Sequence, residues 1–304
     1  MNKSFSIIIP FYKGEIFYPF LIDSIKKAIL FCNEDLISFE IITIIDSIES
    51  SFDTINQIVN DCFCKIKNVN IVTIKNEKNI GVAGSRNTAI SISKGDYLHF
   101  IDQDDNILEM FYKELIPLLD NYNFVLYNGM VYYTNKKYNE HKLYYIKPSI
   151  SVIGLLKNDF IRSPGQVVLS KKLLKNNFFP EPINYKGADD RFFWLRILIE
   201  NEDNIKSIYN SNAYYIANIH NSNYSTDKIN LKKSTLENWN MFINEVDTSK
   251  YNKYIENDIL RIKYALNEKM TFYYNFKGMF LNLMYFIEFN KVLRFIIKRK
   301  IFQK

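Results

Sequence analysis

The densest group of acidic side chains in the sequence is the run Asp102-Gln103-Asp104-Asp105, which directly follows the apolar segment 97–101. Carboxylates this close repel one another and raise each other's pKa unless a cation lies among them. A hard divalent cation such as Mg²⁺ or Mn²⁺ relieves the repulsion, and it prefers oxygen ligands and substrate phosphates. The run therefore predicts a cation site; the alternative is a solvated turn in which Asp105 caps a helix at 107–119.

A second acidic pair, Asp189 and Asp190, begins the apolar helical segment 190–200. In one interpretation a carboxylate caps the helix by accepting backbone N–H groups. In the other the pair supplies a general base, with one carboxylate held by the helix start and its neighbour facing a cleft. Spacing alone does not choose between the two.

His220 lies in the polar segment 218–225, which we place in a loop beyond the predicted sheet. A loop of this kind is able to fold back over a site, where an imidazole serves as a ligand. The alternative is an exposed histidine without a ligand.

The elements that must position these side chains follow from hydrophobic periodicity. The N-terminal half alternates short runs rich in Ile, Val and Phe with helical patterns, which is typical of a mainly parallel α/β sheet. Strands are predicted at 4–10, 39–45, 69–74 and 97–101, and helices at 20–31 and 81–93. Three of these strands end in polar or acidic groups, and open α/β sheets bind ligands at the carboxyl ends of their strands.

The pattern changes beyond residue 120. A further strand is predicted at 124–133 and a short one at 167–169, and the chain is predicted to be helical from about residue 227 onward. We therefore expect a catalytic domain at 1–226 and a helical region at 227–304.

The charge distribution argues against a nucleic-acid partner. The chain has 304 residues with 39 basic and 33 acidic side chains, a net charge of +6. Residues 291–304 hold six basic and no acidic side chains, so the rest of the chain is formally neutral. A nucleic-acid interface needs basic residues spread over a face of the main domain.

Cysteine usage and missing signatures narrow the class further. Three cysteines are too few, and odd in number, for a disulfide framework, and no apolar signal segment precedes the first strand. Both features indicate a cytoplasmic protein. The sequence also lacks the GxxxxGK[ST], HExxH and GxSxG motifs and a GxGxxG after the first strand, so the common NTPase, zinc-protease, hydrolase and dinucleotide-binding classes are unsupported.

Four blocks taken together resemble the family 2 glycosyltransferases of the GT-A fold: SIIIPFYK at 6–13, Asp46, NIGVAGSRNTAISISKGDYLHFIDQDD at 79–105, and GADDRFFWLRI at 187–197. The central block is specific, because family members carry N-x-G, R-N, G-x-Y and D-x-D-D in this order. The resemblance implies a Rossmann-like, mainly parallel sheet flanked by helices, with a C-terminal helical extension here. It also implies inverting sugar transfer from a nucleotide-diphospho-sugar, with a UDP-sugar as the first expectation.

The resemblance assigns nucleotide-binding roles residue by residue. Pro10 and Tyr12 match the loop that lines the nucleobase, where an aromatic ring can stack. Asp46 matches the acid that hydrogen-bonds the base, although Ser47 follows it where many members have a second acid. Arg86 matches the arginine near the donor, and Asp102 matches the acid next to the ribose.

The resemblance also assigns the chemistry. Asp104 matches the acid that binds Mn²⁺ or Mg²⁺, and His220 falls where related sequences have a histidine near the diphosphate. Asp190 matches the catalytic base. Because the preceding residue is Asp189 where the family usually has Glu, both carboxylates stay candidates for the base.

The resemblance implies a hexosyl- or N-acetylhexosaminyl-transferase that acts on a glycan or lipid-linked acceptor of bacterial surface polysaccharide, such as lipopolysaccharide, O-antigen or capsule. Two alternatives stay open. One is a non-catalytic glycan-binding relative. The other is a sugar nucleotidyltransferase, which normally carries a glycine-rich loop after its first strand, and the segment PFYKGE does not supply one.

The C-terminal segment predicts a basic amphipathic helix. From residue 289, apolar side chains fall on one face and basic side chains on another, although residues 280–297 contain too many polar groups for a membrane span. Such a helix lies in an anionic membrane interface, so we expect 280–304 to contact the inner face of the plasma membrane. The alternative is a helix that packs its apolar face on the catalytic domain.

Overall fold

The structure is a computed structural model that describes residues 3–32, 36–133, 141–143, 147–175, 177–220, 227–267 and 272–289. The chain divides into two compact units. The first comprises Met1–Leu143, Ile161–Glu181 and Asn201–Asn221, and the second comprises Tyr144–Phe160, Pro182–Glu200 and Ser222–Lys304. The expected division into 1–226 and 227–304 stays a prediction.

The described strands all belong to the first unit and form one sheet. In chain order they are β1 (Lys3–Phe11), β2 (Ile37–Ile45), β3 (Val69–Lys75), β4 (Tyr97–Phe100), β5 (Asn106–Ile107), β6 (Phe124–Tyr133), β7 (His141–Lys142), β8 (Val167–Ser170) and β9 (Ser207–Ile219). Their order in the sheet is β3-β2-β1-β4-β8-β6-β9-β5, with β7 paired to β6.

The predicted α/β architecture is confirmed. Strand β1 pairs in parallel with β2 and β4, and β2 pairs in parallel with β3. Beyond β4 the sheet is mixed, because β8 runs antiparallel to β4 and β6. The helices of this unit are α1 (Tyr18–Cys32), α2 (Phe52–Phe63), α3 (Gly81–Ile92) and α4 (Met110–Leu118).

Buried isoleucine-rich strands form the core of the first unit. Every residue of β1 from Phe5 to Phe11 is buried, as is almost all of β2. Parallel strands covered on both faces read as continuous apolar runs, which is why SIIIPF and EIITII lack a polar alternation. This buried centre holds the carboxyl ends of β1, β2 and β4, where the candidate residues Tyr12, Asp46 and Asp102 lie.

Strand β9 corrects the sequence analysis, which predicted no strand there. Its segment SIYNSNAYYIANI contains three asparagines, a residue depleted in strands, and its register with β6 shifts around Asn128. Parallel pairing with β6 and antiparallel pairing with β5 override that local preference. His220, placed by the sequence analysis in a loop beyond the sheet, therefore directly follows a sheet strand.

The second unit is helical. Its helices are α5 (Val152–Asn158), α6 (Asp189–Glu200), α7 (Lys228–Glu245), α8 (Asn252–Ala265) and α9 (Phe272–Phe289). The last three agree with the helical region predicted from residue 227. The basic part of the amphipathic tail, 290–304, lies outside the described residues. Within the described part of the chain, no helix is both long and apolar enough to cross a membrane.

Candidate active site

The turn after β4 places its first carboxylate against an arginine. The Asp105 N–H donates to the Asp102 carbonyl at 3.0 Å and closes the turn. Arg86, on α3, donates from Nη2 to Asp102 Oδ1 at 2.6 Å. Its buried guanidinium lies 5.0 Å from the centre of the Phe179 ring. The guanidinium of Arg86 is therefore fixed next to the partly exposed carboxylate of Asp102.

The third residue of the turn meets the histidine that follows β9. His220 Nε2 lies 2.7 Å from Asp104 Oδ2, across 116 positions of sequence. The imidazole also stacks on Phe17, with ring centres 4.8 Å apart and planes 9° from parallel. Burial raises the pKa of Asp104, Asp102 raises it further, and the hydrogen bond to His220 opposes both. Two predicted metal ligands are thus brought together.

The fourth residue of the turn, Asp105, is a buried anchor rather than a helix cap. Its Oδ1 accepts the Asn218 N–H at 2.9 Å, and its Oδ2 accepts a short hydrogen bond from the Tyr215 hydroxyl. Burial, then the neighbouring Asp104 and Asp102, raise the pKa of Asp105 well above its usual range. Helix α4 begins at Met110 with Glu109 at its N-cap position, so the capping alternative for Asp105 is wrong.

Asn218, near the end of β9, adds further contacts between this strand and the turn at 102–105. The Asn218 side chain donates from Nδ2 to the Asp104 carbonyl at 2.6 Å. Asn218 therefore contacts both Asp105 and Asp104, and it does so two residues before His220. These contacts fix the end of β9 against the turn, which is what allows His220 to reach Asp104.

The predicted nucleobase residues lie at the end of β1. Pro10 is buried within the strand, whereas Tyr12, just past its end, is 43% exposed. Lys13 lies with its Nζ 5.4 Å from the centre of the Tyr12 ring. The backbone of Tyr12 is hydrogen-bonded to the side chain of Gln103, in the turn after β4. One accessible aromatic ring is thereby tied to the acidic turn.

Asp46 has a structural role that the sequence analysis missed. It is buried after β2, where Oδ1 accepts from Asn76 Nδ2 and from the Ile80 N–H, each at 2.8 Å. Its Oδ2 accepts the N–H of Gly81 at 2.8 Å, and Gly81 has φ +82°. The carboxylate therefore holds the loop from which α3 starts, and α3 carries Arg86. Its bond to a nucleobase stays a prediction.

The second acidic pair lies in the second unit, in the first turn of α6. Asp189 is buried and Asp190 is half-buried, with Asp190 Oδ1 accepting the Arg191 N–H at 2.7 Å. This bond to the next residue is not the N-cap pattern, in which the side chain accepts from an N–H two or three residues further on, so the contact favours neither the cap nor the general base. The choice of base between Asp189 and Asp190 stays a prediction.

A buried ionic cluster fixes α6 within the second unit. Arg191 donates from Nη1 to Asp258 Oδ2 at 2.9 Å, and the Trp239 indole N–H donates to the same oxygen at 3.0 Å. Arg261 donates to Asp258 Oδ1 at 2.6 Å. Burial acts to raise the pKa of Asp258, but the two arginines outweigh it and hold the pKa below its usual range.

Several contacts of the site could not be predicted from the sequence. Gln103 and Asp105 stood inside the quoted motif, but their partners are 91 and 110 positions away. Phe17 and Tyr215 belong to segments that suggested no chemistry. Among the described residues, no three His, Cys, Asp or Glu side chains are grouped so that they could hold a metal ion.

The sequence is similar to those of known proteins. The sequence profile described as glycosyl transferase family 2 matches residues 6–178. The Escherichia coli UDP-Glc:alpha-D-GlcNAc-diphosphoundecaprenol beta-1,3-glucosyltransferase WfaP is 32% identical over 161 residues, which span 53% of this chain and 60% of WfaP. A second E. coli protein with the same described activity, WfgD, is 29% identical over 273 residues, which span 86% of this chain and 90% of WfgD.

A solved structure extends the similarity to the fold. Staphylococcus aureus TarS 1-349 in complex with UDP-GlcNAc matches with a TM-score of 0.63 at 18% identity, over 95% of this chain and 82% of that one. At this identity the likeness shows a shared fold alone.

Proposed function

The chain belongs to glycosyl transferase family 2, and from this premise we propose that it transfers one sugar, with inversion, from a UDP-sugar to a lipid-linked or glycan acceptor of bacterial surface polysaccharide. The family and the GT-A fold expected from the motifs are thereby confirmed. The observation that carries the proposal is the turn at 102–105, where Asp102 meets Arg86 and Asp104 meets His220 at the carboxyl end of β4.

The donor binds along the carboxyl ends of β1, β2 and β4. Tyr12 stacks on the nucleobase beside Pro10, and Asp46 accepts a hydrogen bond from the base. Asp102 binds the ribose, while Arg86 places positive charge near the donor. UDP-glucose is the first donor to test, because both E. coli relatives are described as UDP-Glc enzymes. UDP-GlcNAc is the second, since TarS was solved with it.

Asp104 and His220 would hold a divalent cation. The pair fits Mn²⁺ or Mg²⁺: it offers a carboxylate oxygen and an imidazole nitrogen in contact, and the pKa of Asp104 is raised by burial and by Asp102. A divalent cation beside Asp104 would relieve the repulsion between the carboxylates of Asp102 and Asp104. When bound, it supplies positive charge that stabilises the departing diphosphate.

A carboxylate of α6 supplies the base. Asp190, with Asp189 as the alternative, takes the proton from the acceptor hydroxyl as the hydroxyl oxygen attacks the anomeric carbon. The attack comes from the face opposite the nucleotide, so one displacement inverts the configuration and forms no covalent enzyme intermediate. The bond to the diphosphate breaks as the new glycosidic bond forms.

The acceptor proposal rests on the relatives and on helix α9. Both E. coli relatives are described as acting on a diphosphoundecaprenol-linked sugar. In α9, Tyr273, Phe276, Phe280 and Leu283 are 67%, 61%, 53% and 55% exposed. Exposed apolar side chains, followed in the sequence by the six basic residues of 291–304, fit an anionic lipid surface. We place the protein in the cytoplasm, peripheral on the inner face of the plasma membrane.

Transfer of radiolabelled glucose from UDP-glucose to a GlcNAc-diphospholipid, with and without Mn²⁺, tests the proposal. The unchanged chain is expected to form a labelled lipid. Asp190→Asn is expected to lose transfer while still binding UDP, and Asp189→Asn is the matched control for the choice of base. UDP-, GDP- and dTDP-sugars screened by thermal shift identify the donor, because a bound donor raises the melting temperature. Binding without any transfer would favour a non-catalytic relative.

A further inference from the structure

Gln103 makes a two-point contact with the backbone of the N-terminal loop. Its Oε1 accepts the Tyr12 N–H at 2.8 Å, and its Nε2 donates to the Tyr12 carbonyl at 2.8 Å. One side-chain amide thus satisfies both backbone groups of one residue, as a neighbouring strand would. The two residues are 91 positions apart, so the contact joins the end of β1 to the turn after β4.

The loop is shaped to admit this amide. A Cβ atom at Gly14 would lie 2.2 Å from Gln103 Oε1, so any side chain at position 14 displaces the glutamine. Lys13 adopts φ +51°, a left-handed conformation that is uncommon for a residue with a side chain. A salt bridge of 3.0 Å from Lys13 to Glu49 holds the other side of the loop. The contact therefore depends on Gln103 in the turn after β4 and on Gly14 in the loop after β1.

From these contacts we infer that Gln103 is a positioning residue for the donor, which sets the separation between the nucleobase ring Tyr12 and the turn that carries Asp102 and Asp104. The inference rests on the proposed function. Because Gln103 binds both backbone groups of Tyr12, it fixes where the ring is presented before the nucleotide arrives. A preorganised loop loses less entropy on binding, so the contact strengthens donor binding.

A purely structural role would have a different signature. A partly exposed pair of hydrogen bonds contributes modestly to folding, and its loss would lower the melting temperature without changing the ratio of KM to kcat. A positioning role acts on donor affinity, so it raises KM for the donor and leaves kcat nearly unchanged.

Two substitutions reach the contact from opposite sides. Gln103→Met removes both hydrogen bonds with a side chain of similar length, and Gly14→Ala keeps the glutamine in the sequence but displaces its amide from Tyr12. Gln57→Met, on the exposed face of α2, is the matched control for the change of residue type. The measurements are calorimetric titration with UDP in the presence of Mn²⁺ and steady-state kinetics with UDP-glucose.

Each single variant is expected to weaken UDP binding and to raise KM for UDP-glucose about tenfold, the effect of losing one net hydrogen-bond pair, with kcat changed less than twofold. Because both changes break the same contact, the double variant should bind UDP as tightly as the single variant with the lower UDP affinity. Unchanged KM, an equal fall in kcat, or multiplicative effects would each overturn the role of Gln103. Failure of the unchanged chain to bind UDP would instead overturn the proposed function.

Discussion

Four consecutive side chains of the turn at 102–105 contact four different parts of the first unit. Asp102 contacts α3, Gln103 the loop after β1, Asp104 the residue after β9, and Asp105 the interior of β9. A tight turn directs neighbouring side chains differently, and this one lies where several strand ends meet. Each residue type matches its surroundings. The buried carboxyl of Asp105 accepts hydrogen bonds, and the amide of Gln103 both donates to and accepts from the backbone of Tyr12.

The sequence identified the chemical types at this turn but not their pairing. Arg86, Asp102, Asp104 and His220 were all named from motifs, yet the contact between Asp104 and His220 spans 116 positions and depends on a strand that was not predicted. Gln103 was passed over because an amide between carboxylates has no chemistry of its own. Its role follows only from the backbone atoms that it meets.

His99 leads to a prediction about acid stability. It is fully buried in β4, stacked on Phe111, and lies 2.9 Å from both the Gly165 carbonyl and the Tyr112 hydroxyl. The Gly165 carbonyl can only accept, so Nε2 carries a proton, and in the neutral ring Nδ1 accepts from the Tyr112 hydroxyl. Burial lowers the pKa of His99 to about 4.

The unfolded chain therefore binds a proton that the native protein does not bind. The free energy of unfolding is expected to be independent of this group above about pH 6.5, and to fall by about 3 kcal/mol as the pH drops toward 4. Urea unfolding measured at a series of pH values, with His99→Gln as the non-titrating control, isolates the contribution. Parallel curves for the two proteins between pH 6.5 and 4.5 would contradict it.

At the scale of elements, α6 and β9 differ in how well the sequence predicts them, and each carries or precedes residues of the proposed chemistry. Helix α6 carries Asp189 and Asp190 and is fixed by Arg191 to Asp258 of α8. The sequence located α6 correctly, because its apolar run after two acids is a strong helical signal. It missed β9, because the asparagines obscure the strand pattern and the pairing with β6 is a long-range effect.

Removing Asp258 is expected to destabilise the second unit strongly. Asp258→Ala leaves the arginines at 191 and 261 and the indole of Trp239 without their shared acceptor, and a broken buried ion pair costs about 3–5 kcal/mol. Urea unfolding followed by tryptophan fluorescence measures the loss.

Arg261→Ala is the graded control for this prediction, since it removes one of the two ion pairs and leaves the Arg191 contact intact. Its cost should be clearly smaller than that of Asp258→Ala. A loss below about 1 kcal/mol for Asp258→Ala, within the range of an exposed ion pair, would show that the cluster is not an anchor for α6.

At the scale of the whole molecule, the charge and the apolar surface are unevenly distributed. The net charge of +6 is that of residues 291–304, and α9 exposes a series of large apolar side chains. The opposite side of α9 is tightly packed, since a Cβ at Gly278 would lie 2.7 Å from the Cβ of Tyr264 on α8. The helix therefore packs closely on α8 at Gly278 and leaves several large apolar side chains accessible.

Deleting 291–304 is expected to weaken binding to vesicles that contain phosphatidylglycerol, because each basic residue near an anionic surface contributes about 1 kcal/mol. Substituting Phe276 and Phe280 by serine should weaken it independently of salt. Vesicle flotation at low and high salt measures both effects, and Ile229→Ser, an exposed apolar position on α7, is the matched control. Flotation that is equal for all variants would leave α9 to another partner.

The position of β9 has a consequence for synthesis on the ribosome. This strand is the last of the described sheet to be translated, yet it lies between β6 and β5, which precede it in the chain. Until its residues emerge, one edge of β6 has no partner and the buried carboxyl of Asp105 has no donor from Tyr215 or Asn218. The described sheet therefore stays incomplete until residue 220 leaves the exit tunnel. The contact between Asp104 and His220 is then among the last contacts of the first unit to form.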